Sequence, residues 1–299
     1  MENSTRRKFL KDSALLTGAI LIPGMGWVDA KAPGSKMKLG LVTYLWGQHW
    51  DVPTLIRNCS AAKISGVELR TQHAHQVEPN LSPSARMEVK KRFADSPVTL
   101  VGLGTNQQYD FVNPEKLKTS ILETKEYIKL CHDIGGSGVK VKPNALHTDQ
   151  LPKEKTLEQI GKSLNEVGRY AADYGLKIRL EVHGNETQEL PNIKTIMDVA
   201  DQPNVVVCWN CNDEDLLGQG LEYNFNLVKS RIGDTTHVRE MNIGEYPYQQ
   251  LMDLFVKMDY EGWILLECRT NPQDKVKAMA EQREVFSAMI KSAQKRLKN

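Results

Sequence analysis

No crowded glycines follow the first strand-like run, "MKLGLVTY", and "GLGTNQ" around Gly102 is too sparse to cradle a phosphate. That absence argues against a doubly wound nucleotide-binding sheet. Nothing after residue 36 has the composition of a linker, so a single domain is expected. Cysteine is scarce and irregular: Cys59, Cys131, Cys208, Cys211 and Cys268 form an odd set without the close spacing of a disulfide framework. They read as small buried hydrophobes, and Cys208 and Cys211 make a CxxC in letters only, because Cys208 lies inside the apolar run "VVVCWN" and no second pair follows. The longest apolar stretch, "ALLTGAILIPGMGWV", is about 15 residues, short of the ~20 that a membrane span needs. Net charge is missing too, once residues 1–32 are set aside. The 39 basic residues less Arg6, Arg7, Lys8, Lys11 and Lys31, and the 37 acidic residues less Glu2, Asp12 and Asp29, leave 34 of each. A neutral surface has no bulk attraction for phosphate backbones, so no nucleic-acid partner is expected.

What is present begins with residues 1–30. A basic "STRRKFLK", the apolar stretch and a small-residue end, "VDA" or "AKA", have the three-part layout of an export signal. Arg6 and Arg7 followed by Phe9 and Leu10 resemble the twin-arginine type. Cleavage near Ala30 would leave an exported or periplasmic protein with no stable membrane anchor. The chain is 40% hydrophobic and 25% charged, enough for one large core of the ~250-residue size common to α/β barrels.

From residue 36 to 299 the segments alternate with a regular beat. "MKLGLVTY", "GVELR", "VTLVGLGT", "GVKVKP", "LKIRLEVH", "NVVVCWN", "DTTHVRE" and "GWILLECR" read as eight strands. Between them lie helical patterns such as "PEKLKTSILETKEYIKLCHDIG" and "LEQIGKSLNEVGRYAADYG", and a long helix from about Asp274 closes the chain. Eight β-then-α units predict a single-domain TIM (β/α)8 barrel of the α/β class.

Side chains alternate along a strand, and five of the runs carry charged or titratable residues together on one face. In "IRLEVHG", Arg179, Glu181 and His183 oppose Ile178, Leu180 and Val182; Glu68 pairs with Arg70, Lys140 with Lys142, His237 with Arg239 and Glu267 with Arg269. Barrel strands hide the aliphatic face beneath the helices, so the charged face is expected to line the mouth at the strands' carboxyl ends. Glu181, Asn210, His237 and Glu267, near the ends of four successive strands, offer carboxylate, carboxamide and imidazole groups suited to one divalent ion: Mn²⁺, Co²⁺, Zn²⁺ or Mg²⁺.

"LEVHG", "HVRE", "GWILLECR" and "GVELR" together resemble the sugar isomerase and epimerase family of xylose-isomerase-like TIM barrels, over about Lys36 to Arg269. Ketose 3-epimerases, inosose dehydratases and endonuclease IV relatives share that superfamily. The resemblance implies one divalent ion held by Glu181, Asn210, His237 and Glu267, with the two glutamates doubling as an acid/base pair. Asn210 departs from the usual Asp, and Asp213 stands where many members place a His. Seven histidines and the absence of one after the third strand argue against the three-metal nuclease relatives.

The expected activity is metal-dependent isomerisation or epimerisation of a carbohydrate or polyol carbonyl. The ion would stabilise an enediolate while Glu181 and Glu267 move the carbon-bound proton from opposite faces. Loss of a β-substituent from the same intermediate would make a lyase or dehydratase, and loss of the metal would leave a sugar-binding barrel without chemistry. His183, Arg239, Arg269, Lys140, Glu68, Tyr44 and Trp46 are the expected contacts to a small sugar or polyol. An oligomer is compatible with the sequence.

Overall fold

Eight parallel strands close on themselves in the computed structural model, which describes residues 32–298. The export signal expected at 1–30 lies outside the described residues. The strands are β1 (Lys38–Val42), β2 (Gly66–Arg70), β3 (Thr99–Gln108), β4 (Gly138–Lys142), β5 (Lys177–Glu181), β6 (Val205–Asn210), β7 (Ile232–Val238) and β8 (Trp263–Leu266). Each pairs with its chain neighbours, and β1 seals the ring against β8 with Lys38 opposite Trp263 and Leu41 opposite Leu266. A helix follows every strand: α1 (Val52–Ala62), α2 (Pro83–Ala94), α3 (Pro114–Ile134), α4 (Lys153–Ala172), α5 (Leu190–Val199), α6 (Leu221–Val228), α7 (Tyr248–Lys257) and α8 (Lys275–Lys298). The expected barrel is therefore present, with eight strands where the alternating runs place them. No described helix is long and apolar enough to cross a membrane.

Local chemistry sets the helix limits. Asn113 accepts from the backbone N–H groups of Glu115 and Lys116 to start α3, and Gly135 ends it at φ 85°, a left-handed turn that glycine adopts without strain. In α4, Leu157, Ile160, Leu164, Val167 and Ala171 recur at intervals of three and four, so one stripe is buried against the strands. α2 buries only Val89 and Phe93, a weak stripe that explains why its sequence stands out less.

The barrel interior is stratified. At its lower level Arg179 is fully buried, its Nε and Nη2 donating to Asp234 Oδ1 and Oδ2 at 3.1 and 3.0 Å, with Ser137 Oγ and the Val101 carbonyl taking further N–H groups. Glycine makes room for it: a Cβ on Gly138 would lie 2.8 Å from the Arg179 Cζ. Arg179 thus shares a face with Glu181 but belongs to the floor. The charged face of β5 does not lie wholly at the mouth as the alternation suggested.

Candidate active site

The ends of β5, β6 and β7, and the residue just beyond β8, bring Glu181, Asn210, His237 and Glu267 together. Ligand atoms of Glu181, His237 and Glu267 all lie within 4.8 Å of one another. His237 Nδ1 is 3.2 Å from Glu181 Oε1 and 3.8 Å from Glu267 Oε2. Asn210 Nδ2 donates to the same Glu181 Oε1 at 3.0 Å, and Lys140 Nζ donates to Oε2 at 2.7 Å. Glu181 is buried with both oxygens engaged, whereas the Glu267 side chain keeps 14% exposure and accepts no hydrogen bond among the described residues.

Glu68, expected to touch substrate, lies deeper. It is fully buried, with Oε1 3.1 Å from His237 Nε2 on the far side of the ring, though the two are poorly aligned for a hydrogen bond. Gly104 gives it space, since a Cβ there would meet Glu68 Oε1 at 2.7 Å. Carboxylates at both ring nitrogens, Glu68 at Nε2 and Glu181 at Nδ1, favour the doubly protonated ring; once the Nδ1 proton is displaced, that lone pair points between Glu181 and Glu267 while Nε2–H stays toward Glu68, the arrangement of a metal-ligating histidine.

The donor set of Glu181, His237 and Glu267 fits a divalent ion. Asn210 presents its amide N–H to Glu181, so its carbonyl ligates only after the amide turns over. The protein groups also compete with a metal for His237. Burial opposes its charge, but Cys208, Glu68 and Glu181 outweigh that and raise its pKa well above the ordinary value, so an ion at Nδ1 must displace a proton. Burial likewise opposes ionisation of Glu181, yet Lys140 and His237 hold its pKa well below the carboxylate range. Glu267 goes the other way: burial, opposed by His237 and reinforced by Glu181, raises it. Two carboxylates in one site are thereby pushed apart, the pattern of an acid/base pair with different resting states.

The remaining expected contacts divide. Lys140 is in the site, and His183 stands at its rim, partly buried, with Nδ1 lacking a partner. Tyr44 is half-buried and carries the Arg70 guanidinium over its ring at 4.9 Å. Trp46 is a core residue instead: it is 2% exposed and its Nε1 donates to the Thr270 carbonyl at 3.0 Å. Arg239 is partly buried, its backbone N–H donating to the Tyr248 hydroxyl at 3.2 Å and its Nε without a partner among the described residues, and Arg269 is exposed with its backbone N–H donating to Glu240 Oε2. All five cysteines are buried and free. Asp213 is exposed on a short 3-10 turn.

A family model described as xylose isomerase-like TIM barrel matches residues 56–289, most of the chain. The chain belongs to this family. No curated protein matches this xylose isomerase-like barrel in sequence. Among solved structures it is similar to an L-ribulose 3-epimerase (TM-score 0.74, 13% identity, covering 88% of this chain and 97% of that one). It is also similar to the 3-keto-D-glucoside 4-epimerase of E. coli (TM-score 0.69, 14% identity, 84% and 99% covered) and to the IolI protein with a bound zinc atom (TM-score 0.71, 14% identity, 86% and 99% covered). At such identities the likeness is one of fold.

Three residues of the xylose isomerase-like mouth were not among the expected contacts: Arg70, Asn106 and Lys142. The signal was present for two of them, since Arg70 and Lys142 lie two residues beyond Glu68 and Lys140 on the same strand faces.

Proposed function

We propose that this barrel is a metal-dependent sugar isomerase or epimerase that moves a proton on a carbon next to a carbonyl. The observation that carries the reading is the meeting of Glu181, His237 and Glu267 within 4.8 Å at the carboxyl ends of the strands, in a chain of this family. The names of the similar epimerases support the substrate class, and the zinc of the IolI protein supports a divalent ion.

Glu181, His237 and Glu267 would hold the ion, which would polarise the substrate carbonyl, a contribution of several kcal/mol on the usual scale. Glu267, free of hydrogen bonds and partly open to the mouth, takes or returns the carbon-bound proton. Glu181 starts as a carboxylate, kept so by Lys140, and acts from the opposite side. Lys140 also places a positive charge where negative charge develops on the substrate oxygens. Delivery to the opposite face gives an epimer, delivery to the next carbon an isomer, and expulsion of a β-substituent a lyase product.

A second reading, a sugar-binding barrel without chemistry, draws support from Asn210, whose N–H faces Glu181 where the family's usual Asp would offer an oxygen. One experiment separates the two. Incubating the protein with Mn²⁺, Co²⁺, Zn²⁺ or Mg²⁺ and a panel of aldoses, ketoses, inososes and 3-keto-glycosides in D₂O should place deuterium beside a carbonyl. Glu267→Gln should cut that exchange by ~10²-fold or more, the scale of a lost general base, while sugar binding persists. Metal-independent exchange, or exchange unchanged in both Glu267→Gln and Glu181→Gln, would overturn the assignment. We also propose export of the mature protein, on the sequence of residues 1–30.

A further inference from the structure

Arg70 and Lys142 end β2 and β4 on the side that faces the barrel axis, one step above Glu68 and Lys140. Both donate to a single neutral atom: Arg70 Nη2 and Lys142 Nζ each lie 3.3 Å from Asn106 Oδ1. Lys140, one layer below, is neutralised by Glu181, but neither Arg70 nor Lys142 has a carboxylate within ion-pair distance among the described residues. Both are partly buried. Burial, then Lys140 and Arg70, lower the pKa of Lys142 against the opposing pull of Glu181 and Glu267. His183 Nδ1 is likewise without a hydrogen-bond partner among the described residues.

Unpaired cations are ordinary on an open surface, where water screens them. Two that converge on one amide beside a catalytic mouth are different, because each raises the cost of the other. The donors left over are also arranged for use. Only Nη2 of the Arg70 fork is committed to Asn106, leaving N–H groups that suit a bidentate anion, and the ammonium of Lys142 has N–H groups to spare. Tyr44 beneath the guanidinium and Asn106 between the two heads hold them in place, so little side-chain freedom is lost when an anion arrives.

We propose that the substrate is an anionic sugar, whose charged group is held by Arg70 and Lys142 while its carbonyl end lies at Glu181 and Glu267. This deepens the isomerase or epimerase reading and rests on it. Carboxylate and phosphate share the required chemistry, a compact group of anionic oxygens.

The test is calorimetric titration of the folded protein, in a buffer free of phosphate and sulfate, with paired sugars: D-glucuronate against D-glucose, D-galacturonate against D-galactose, and glucose 6-phosphate. At least one class of acidic sugar should bind ~10-fold or more tighter than its neutral counterpart, the scale of one or more charge-assisted hydrogen bonds. Arg70→Met and Lys142→Met, each checked for an unchanged melting curve, should abolish the preference, and Lys142→Arg should keep most of it. A lead for the uronates identifies the anion as a carboxylate, and a lead for the ester identifies it as a phosphate. Neutral sugars binding as tightly as acidic ones, or full preference in both methionine variants, would overturn the anion clamp and leave the sugar reading standing. Failure of every sugar, charged or neutral, to bind would overturn both.

Discussion

Lys140→Met removes the ammonium 2.7 Å from Glu181 Oε2 while keeping most of its aliphatic stem. The pair is nearly sealed from water, with side-chain exposures of 3% and 2%. At an effective dielectric of ~20 the Coulomb attraction at that separation is about 6 kcal/mol, offset by the cost of desolvating both ions. Breaking one side of a buried pair costs about 3–5 kcal/mol when the remaining charge is uncompensated, and because Glu181 keeps His237 and the Asn210 N–H the lower end, about 3 kcal/mol, is expected. For a chain of this size that corresponds to a fall in Tm of roughly 10 °C. The loss should shrink at acid pH. Glu181 has its pKa held well below the ordinary carboxylate value, so the wild-type pair contributes stability above that ordinary value and loses it as pH falls. The variant, whose Glu181 can relieve itself by taking a proton, has less to lose. Urea denaturation of wild type, Lys140→Met, Glu181→Gln and the double variant provides the cycle, and a coupling of at least ~2 kcal/mol is expected, with the double variant more stable than Lys140→Met alone. A cost below ~1 kcal/mol for Lys140→Met, or strictly additive effects, would refute the argument.

Further outcomes are expected elsewhere. Asn210→Asp replaces an N–H donor at Glu181 with a carboxylate, so divalent-metal affinity measured by calorimetry should rise by ~10-fold or more, and an unchanged affinity would show that position 210 is not a ligand. Burial pushes the Asp215 carboxyl up from 3.8 to about 7 against the hydrogen bonds from Tyr246 and the Asn212 backbone. A raised carboxyl pKa means the folded state holds the proton more tightly, so this group's stabilisation is complete below pH ~4 and is lost as pH rises toward 7, by up to roughly 4 kcal/mol. Relative to wild type, Asp215→Asn should therefore gain in urea midpoint between pH 5 and pH 8, and a flat difference would contradict the buried-acid account. Replacing Arg6 and Arg7 together with Lys should block export in a fractionation assay, and an unaffected periplasmic fraction would rule out the twin-arginine route.

Much of this protein was legible in its residues because strand alternation and helix periodicity are local rules. The eight runs from "MKLGLVTY" to "GWILLECR" became the eight barrel strands, and the charged faces of "GVELR", "GVKVKP" and "LKIRLEVH" turned inward as the two-residue period demands. The resemblance carried by "LEVHG", "HVRE" and "GWILLECR" brought Glu181, His237 and Glu267 into one set before any distance was known. Alternation names a face and leaves depth along the barrel axis undetermined. Depth follows from strand register, including the shifts between Val67 and Glu68 and between Val207 and Trp209, which decide which residues of neighbouring strands stand level. Register sets Asn210 opposite His237. Packing inside the ring puts Arg179 at the floor against Asp234 and Glu68 behind the imidazole. Loop packing, equally non-local, buried Trp46 under Thr270 and left Arg269 in solvent. Local periodicity in the residues thus dictates the barrel and the residue types that face its axis, while register and loop packing, which join distant parts of the chain, dictate which of them meet at the mouth and bring Arg70 and Lys142 together on Asn106 without an ion-pair partner among the described residues.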